Sequence, residues 1–270
     1  MTDTAIIESA VLAEEASSLK GKNMYAVISG RRHSGKTCFS LNLSHALSLL
    51  KQKVMLFDGD CGLNNIKAQL GLENIQDLDE VIYKGKSLNQ IIYGYDKGRF
   101  DIALSNAGSS GLSTMSVGRL QILGDDLHIW SQNYDKMILD IASGITDSSK
   151  VLSGMSQNII ILCTNDTASI SDNYGLIRML SSTSPKSKIH IVINQSNSIE
   201  DGRRTYQMIE RACREFLEIT PPLLGIIRQD TRMRDSIRNQ TTLINRYPQS
   251  EAALDIISIA QRIIKNEQFN

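Results

Sequence analysis

A short apolar run followed by a glycine-containing loop constrains this chain more than any other feature. Residues 24–29 are mostly apolar and strand-forming, and residues 30–37 read G-R-R-H-S-G-K-T. The loop fits the spacing G-x-x-x-x-G-K-[ST] at every defined position. A helical pattern of apolar residues follows it over 39–50. Because strand, loop and helix are the context that this motif needs, the sequence predicts a phosphate-binding site here, rather than a chance match in an ordinary turn.

The residues of this loop have defined chemical tasks. The N-terminus of the following helix offers unpaired N–H groups and the positive end of a dipole to a phosphate. Lys36 can reach the β- and γ-phosphates of a nucleotide, and the Thr37 hydroxyl can ligate Mg²⁺. The residues predicted to bind nucleotide here are Gly30, Arg31, Arg32, His33, Ser34, Gly35, Lys36, Thr37 and Cys38.

Two apolar strands that end in aspartates predict a metal site beside the loop. One is followed by D-G-D at 58–60, and the other ends at Asp140. Ligands bind at the carboxyl ends of strands in parallel α/β sheets. Asp58 and Asp140, with Thr37, are therefore predicted to hold Mg²⁺, and Asp60 to position the attacking water. A simple turn remains the alternative for residues 58–60, since Asp-Gly-Asp is good turn chemistry.

Composition narrows the class of protein. The 270 residues are 41% hydrophobic, which suffices for a full core. Lys+Arg and Asp+Glu both number 29, so the net charge is zero and no global basic field points to nucleic acid. The four cysteines lack metal-ligand spacing, which favours free thiols in a reducing cytoplasm. Neither a signal peptide nor an apolar run long enough to span a membrane is present in the sequence.

Alternation of strand and helix patterns predicts the fold. It indicates an α/β protein with one doubly wound, mainly parallel sheet and helices on both faces. We predict a single domain over residues 24–265, preceded by a segment over 1–23 and followed by a short tail over 266–270. Residues 76–93 are predicted to be helical, with an interruption at Gly85.

These motifs together resemble the MinD/ParA group of P-loop ATPases and, within it, the flagellar-number regulators of the FlhG type (also called FleN or YlxH). Residues 57–66, F-D-G-D-C-G-L-N-N-I, are similar to the group's switch stretch F-D-A-D-x-G-x-A-N. Residues 139–145, L-D-I-A-S-G-I, resemble its segment D-x-x-A-G-I. The strand end V-I-N-Q looks like V-V-N-R, which implies that Asn194 reads adenine, and Asp230 opens a C-terminal stretch similar to FlhG. Asn194 and Asp230 complete the predicted nucleotide site.

The resemblance implies an ATP-driven switch. MgATP would order residues 58–66 and join two copies face to face, and hydrolysis to ADP would release them. Such a switch would regulate flagellar number or placement through partner proteins, namely an FlhF-like GTPase and flagellar regulator or basal-body proteins.

The N-terminal stretch 14–20, E-E-A-S-S-L-K, resembles the FlhG motif D-Q-A-x-x-L-R. In the family this motif contacts and stimulates the GTPase FlhF, so the residues predicted to bind a partner are Glu15, Ala16, Leu19 and Lys20. The alternative is a frayed helix that lies on the domain.

Two departures from the family pattern qualify these expectations. The group's loop reads K-G-G-x-G-K-T, and its first lysine reaches the nucleotide of the other subunit. Here Arg31 takes that position, so it either acts as an arginine finger in trans or fails to fit and leaves a slow or silent ATPase. The two glycines are Arg32 and His33, which predicts that no left-handed backbone occurs there. No separate membrane-targeting helix is expected after Ile264. Either the helical pattern over 252–265 also takes that task, or membrane association is lost or comes from partners that recruit the protein to the membrane or cell pole, which we favour.

We assign catalysis to Asp60, Asp58, Lys36 and Arg31. Two other functions stay open. One is an adaptor that binds nucleotide without significant hydrolysis, which the Arg31-Arg32-His33 sequence favours. The other is a ParA-like DNA-positioning ATPase that uses the arginine-rich helix over 201–217, although the neutral overall charge counts against it.

Overall fold

The computed structural model of the protein describes residues 21–60, 66–73, 75–105 and 111–268. Eight strands form one sheet in the order β3-β4-β2-β5-β1-β6-β7-β8. Every neighbouring pair is parallel except β3 and β4. The strands are β1 (Gly21–Ile28), β2 (Val54–Gly59), β3 (Ile92–Tyr95), β4 (Phe100–Ala103), β5 (Lys136–Ile141), β6 (Ser156–Cys163), β7 (Lys188–Ser196) and β8 (Leu223–Arg228).

Helices cover both faces of this sheet. They are α1 (Lys36–Leu49), α2 (Ile66–Leu70), α3 (Leu78–Lys84), α4 (Gly111–Thr114), α5 (Val117–Ser131), α6 (Asp147–Met155), α7 (Thr167–Thr183), α8 (Ile199–Leu217), α9 (Arg232–Arg238), α10 (Leu243–Arg246) and α11 (Glu251–Gln268), with a 3₁₀ turn over Leu88–Gln90. One core lies under α1, α10 and α11, and a second lies under α5 to α8. The predicted doubly wound α/β architecture is confirmed.

The pairing of the central strand β1 explains why its residues form a continuous apolar run in the sequence. It pairs in parallel with β5 and β6, so that Ala26 lies opposite Leu139 on one side and Ile159 on the other. A strand buried on both faces reads as a continuous apolar run. Among the described residues, none of the helices combines the length and apolar character needed to cross a membrane.

The prediction of helix over residues 76–93 is wrong at its C-terminal end. Helix α3 stops at Lys84, and Gly85 follows in the left-handed region with φ 67°. Residues Ile92–Tyr95 form the edge strand β3, which pairs antiparallel with β4. A strand of four residues is too short to show a period of two against a helical background, so only its pairing with β4 defines it.

A buried histidine joins α1 to α10. His45 is 4% exposed, and its Nδ1 lies 2.7 Å from the Thr242 hydroxyl oxygen. Burial, with the Arg99 charge as a smaller cause, lowers the pKa of His45 to about 4. The imidazole is therefore neutral in the folded protein.

Acid should weaken the fold through His45. Between its unfolded pKa near 6.5 and its folded pKa of about 4, only the unfolded chain binds the proton, so stability falls as the pH drops through that window. Between pH 7 and pH 4 the wild type should lose about 2–3 kcal/mol of unfolding free energy through His45, and His45→Asn should not show this loss. Denaturant titrations at both pH values measure the unfolding free energy of each protein. His33→Asn, at an exposed histidine, is the control, and equal acid sensitivity of the His45 variant and the wild type would contradict the assignment.

Candidate functional site

The loop between β1 and α1 rests on α7. The backbone N–H of Gly30 donates to Asn173 Oδ1 at 2.8 Å. A Cβ at Gly30 would lie 2.4 Å from the backbone carbonyl carbon and oxygen of Asp172, so only glycine permits this approach. The start of the loop is thereby fixed against the helix that follows β6.

The end of β7 holds the middle of the loop. Asn194 Nδ2 donates to the Ser34 carbonyl oxygen at 2.8 Å, and Gln195 Nε2 donates to the His33 carbonyl oxygen at 3.4 Å. His33 has φ 63°, so the prediction that the loop lacks a left-handed backbone is wrong at this position. Histidine is among the non-glycine residues that enter this region more often than most, and the two amide contacts hold it there.

The conformation of His33 gives a test by substitution. His33→Val should lower the free energy of unfolding by about 1–2 kcal/mol, because a β-branched residue is strained at positive φ. His33→Gly should be close to neutral, since relief of strain is offset by the greater freedom of the unfolded chain. Thermal unfolding checks both. Arg32→Val is the control, because the adjacent exposed residue is not in the left-handed region. A valine that destabilises both positions equally would contradict this account.

Lys36 begins α1 with its side chain buried at 5% exposure. Its Nζ donates to Ser143 Oγ at 2.7 Å and lies 3.7 Å from Asp60 Oδ2. Ser143 follows β5, in a loop more than a hundred residues away along the chain. The structure therefore brings together the loop lysine, one predicted catalytic carboxylate and a serine that was not predicted.

Two aspartates lie side by side next to this lysine. Asp58 and Asp140 are opposite each other in the β2–β5 register, and neither has any exposed surface. Ser40 Oγ donates to Asp140 Oδ1 at 3.2 Å, and the Asp60 backbone N–H donates to Asp58 Oδ1 at 3.2 Å. Among the described residues, Asp58 Oδ2, Asp140 Oδ2 and Ser34 Oγ are buried without a hydrogen-bond partner.

The electrostatics of these carboxyls fit a cation site. Burial raises the pKa of Asp58 well above its usual range, and the Asp140 charge adds to this shift. Burial also raises the pKa of Asp140 to about 6, against the opposing effect of the Lys36 charge. Carboxylate and hydroxyl oxygens are the ligands that Mg²⁺ prefers, and it commonly keeps waters and substrate phosphates as well. In the described ranges no group of three or more His, Cys, Asp or Glu residues could hold a metal ion. The residues present thus fit a Mg²⁺ that takes its remaining ligands from water and from a phosphate.

Two other predicted residues turn away from the centre of the loop. Arg31 Nη1 lies 3.4 Å from Asp166 Oδ1 of its own chain, with both side chains about half exposed. Cys38 Sγ donates to Gln69 Oε1 at 3.3 Å. Burial raises the pKa of the Cys38 thiol to about 12, so it is not a thiolate at neutral pH. Because its side chain contacts Gln69, Cys38 can bind a phosphate only through its backbone N–H.

Asn194 and Asp230, the two predicted nucleotide-binding residues outside the loop, lie at the ends of adjacent strands. Asn194 is in β7, and Asp230 follows β8, where its Oδ1 accepts the backbone N–H of Arg232 at 2.9 Å. The structure thus gives Asn194 one bond to the phosphate loop, which its sequence position did not indicate. The predicted partner-binding residues Glu15, Ala16, Leu19 and Lys20 lie outside the described residues.

Sequence reasoning missed Ser143 and Asn173. For Ser143 a signal was available, because this residue differs from the alanine in the similar stretch D-x-x-A-G-I. For Asn173 no signal existed, since an asparagine in a helix is common and its contact with Gly30 spans 143 positions.

Comparison with known proteins gives a consistent result. A sequence profile described as "CobQ/CobB/MinD/ParA nucleotide binding domain" matches residues 25–243. The antiactivator FleN of Pseudomonas aeruginosa is 27% identical over 254 residues, which cover 93% of this chain and 89% of that protein. The flagellum site-determining protein YlxH of Helicobacter pylori is 24% identical over 248 residues, covering 91% and 83%. The septum site-determining protein MinD of Pyrococcus horikoshii, solved with Mg-ADP, shares the fold with a TM-score of 0.76 at 19% identity, over 92% of this chain and 98% of that one.

Proposed function

We propose a function from the premise that this chain belongs to the CobQ/CobB/MinD/ParA nucleotide-binding family, whose profile matches most of its length. MinD/ParA proteins are P-loop ATPases, and the relatives of this chain include flagellar regulators. We infer that the chain binds ATP in the loop over 30–37 and hydrolyses it to ADP and phosphate. It would act as a switch that dimerises with ATP.

The observation that carries this proposal is the set of unsatisfied polar atoms beside Lys36. Ser34 Oγ, Asp58 Oδ2 and Asp140 Oδ2 are buried without partners among the described residues. Such atoms are costly unless a ligand or water completes them. A polyphosphate supplies an acceptor for the Ser34 hydroxyl, and its cation supplies the positive charge that the two carboxylate oxygens lack.

Each residue of the cluster has a separate task in the proposed reaction. Lys36 binds the β- and γ-phosphates through its ammonium group. Thr37, Asp58 and Asp140 would hold Mg²⁺, which when bound neutralises charge on the phosphates. Asp60, 30% exposed at the edge of the cluster, orients the attacking water. On the base side, Asn194 donates to Ser34 through Nδ2, which leaves its Oδ1 to accept an amino group such as that of adenine.

Arg31 is the residue proposed to act across the dimer. Its side chain is half exposed beside the loop, so a second copy can reach it. An exposed ion pair contributes only about 0–1 kcal/mol, so release from Asp166 costs little. The guanidinium also offers a bidentate fork that suits phosphate oxygens.

The biological output proposed here is regulation of flagellar number or placement. It rests on similarity to FleN and YlxH, which are named for antiactivation and for flagellum site determination. Partners would be an FlhF-type GTPase, bound through Glu15, Ala16, Leu19 and Lys20, and flagellar regulator or basal-body proteins. The protein would work in the cytoplasm, with recruitment to the membrane or pole through those partners.

The mass of the protein in solution tests the switch. Light scattering after size exclusion would be measured with MgATP, with MgADP and without nucleotide, and phosphate release would be followed in the same samples. We expect a dimer with MgATP alone, which dissociates as phosphate appears. A monomer in all three samples without phosphate release would instead favour an adaptor.

The adaptor is the second candidate, and the ion pair of Arg31 within its own chain is the observation in its favour. A DNA-positioning role has less support. On α8, Arg204, Arg211 and Arg214 pair with Asp201, Glu215 and Glu210 of the same helix, which neutralises much of that surface. Binding to duplex DNA that weakens steeply with salt would revive this role.

A further inference from the structure

A serine hydroxyl contacts the ammonium of the phosphate loop. Ser143 Oγ accepts a hydrogen bond from the buried ammonium Lys36 Nζ at 2.7 Å. The hydroxyl has no task in the roles proposed above.

The backbone fixes Ser143 in place. The next residue, Gly144, donates its N–H to the Ser29 carbonyl oxygen at 2.9 Å, immediately before the phosphate loop. Ser149 Oγ donates to the Gly144 carbonyl oxygen at 2.8 Å from the first turn of α6. Gly144 has φ 87°, which lets the chain turn between these two contacts. The backbone next to Ser143 is thus held by the residue that follows β1 and by α6.

The distances indicate how Ser143 controls Lys36. An ammonium group has three N–H donors. One is directed to Ser143. Among the described residues the nearest carboxylate oxygen, Asp60 Oδ2, is 3.7 Å from Nζ, which is beyond hydrogen-bond distance. The serine therefore holds the ammonium short of direct contact with Asp60 and leaves donors for another anion.

We propose that Ser143 is a positioning residue that keeps Lys36 from closing onto Asp60. This inference rests on the proposed function, because it concerns the binding of MgATP by the same lysine. Without the hydroxyl, Lys36 and Asp60 approach and form a hydrogen-bonded ion pair. That pair competes with the phosphates for the lysine, and it engages the carboxylate that orients water.

Calorimetric titration of the full chain with MgATP tests the proposal. We expect Ser143→Ala to weaken MgATP binding about five- to tenfold, because the new hydrogen bond between Lys36 and Asp60 must break before the lysine contacts the phosphates. Ser143→Thr, which keeps the hydroxyl, should bind as the wild type does. The thermal midpoint of the nucleotide-free protein should be unchanged in both variants, because in Ser143→Ala the hydrogen bond to Asp60 replaces the one that Lys36 loses.

The same substitution in an Asp60→Asn protein distinguishes a positioning role of Ser143 from a local structural effect. In Asp60→Asn the competing carboxylate is absent, so adding Ser143→Ala should change MgATP affinity by less than about twofold, which a double-mutant cycle measures. Unaltered binding by Ser143→Ala, an undiminished effect in the Asp60→Asn background, or a lowered unfolding midpoint would each overturn the positioning role. A wild-type protein that binds no MgATP would overturn the proposed function itself, which is a distinguishable result.

Discussion

Lys36→Ala is expected to abolish ATP-dependent dimerisation and to lower MgATP affinity by at least about a hundredfold, the scale for removing one partner of a buried charge pair. The reason lies in the charges around the loop. Lys36 is the buried cation that faces Asp60, and it also opposes the raised pKa of Asp140. Without it, the negative phosphates would enter a site lined by carboxylates. Titration with MgATP and light scattering with and without nucleotide measure the two effects.

The matched control is Lys150→Ala. Lys150 is a half-exposed lysine of α6 that pairs with Asp147 at 3.6 Å, so its loss should change neither nucleotide affinity nor mass. Thermal unfolding of both variants shows whether they remain folded. A folded Lys36→Ala protein that dimerises normally with ATP would falsify the proposed switch.

Asp140→Asn should stabilise the nucleotide-free protein while removing the Mg²⁺-dependent part of ATP binding. The Asp140 carboxyl is fully buried opposite Asp58, and its pKa is raised to about 6, mainly by burial. Asparagine keeps the shape and an acceptor for Ser40 but carries no charge. We expect the free energy of unfolding at pH 7.5 to rise by about 2–3 kcal/mol.

The sign of this effect depends on pH. A carboxyl whose folded pKa lies above its unfolded value costs stability once it ionises, so the penalty is complete above pH 6 and absent below about pH 4. The advantage of Asp140→Asn should therefore shrink as the pH falls from 6 to 4. Asp126→Asn, at an exposed aspartate of α5, should show no such trend. If Asp140→Asn is less stable than the wild type at pH 7.5, groups of the protein itself already stabilise the buried carboxylate, and this prediction is wrong.

Local signals in the sequence were sufficient to predict the fold and the location of the phosphate loop. Both depend on local signals: apolar runs of strand length, helical periodicity, and glycines at fixed spacing around Lys36. The apolar runs can be recognised in the sequence because each inner strand of a parallel sheet is buried on both faces, whatever its neighbours are. The edge strand Ile92–Tyr95 lacked them, and its prediction failed.

The assembly of the site, in contrast, depends on contacts between distant elements that the sequence did not reveal. The adjacency of Asp58 and Asp140 depends on the pairing of β2 with β5, and the contact of Lys36 with Ser143 joins residues 107 positions apart. The left-handed backbone of His33 is likewise held by amides from the end of β7. Sequence periodicity reports which face of an element is buried, but it carries no information about which polar groups from distant elements meet. Those meetings are fixed by strand register and by the packing of helices on the sheet.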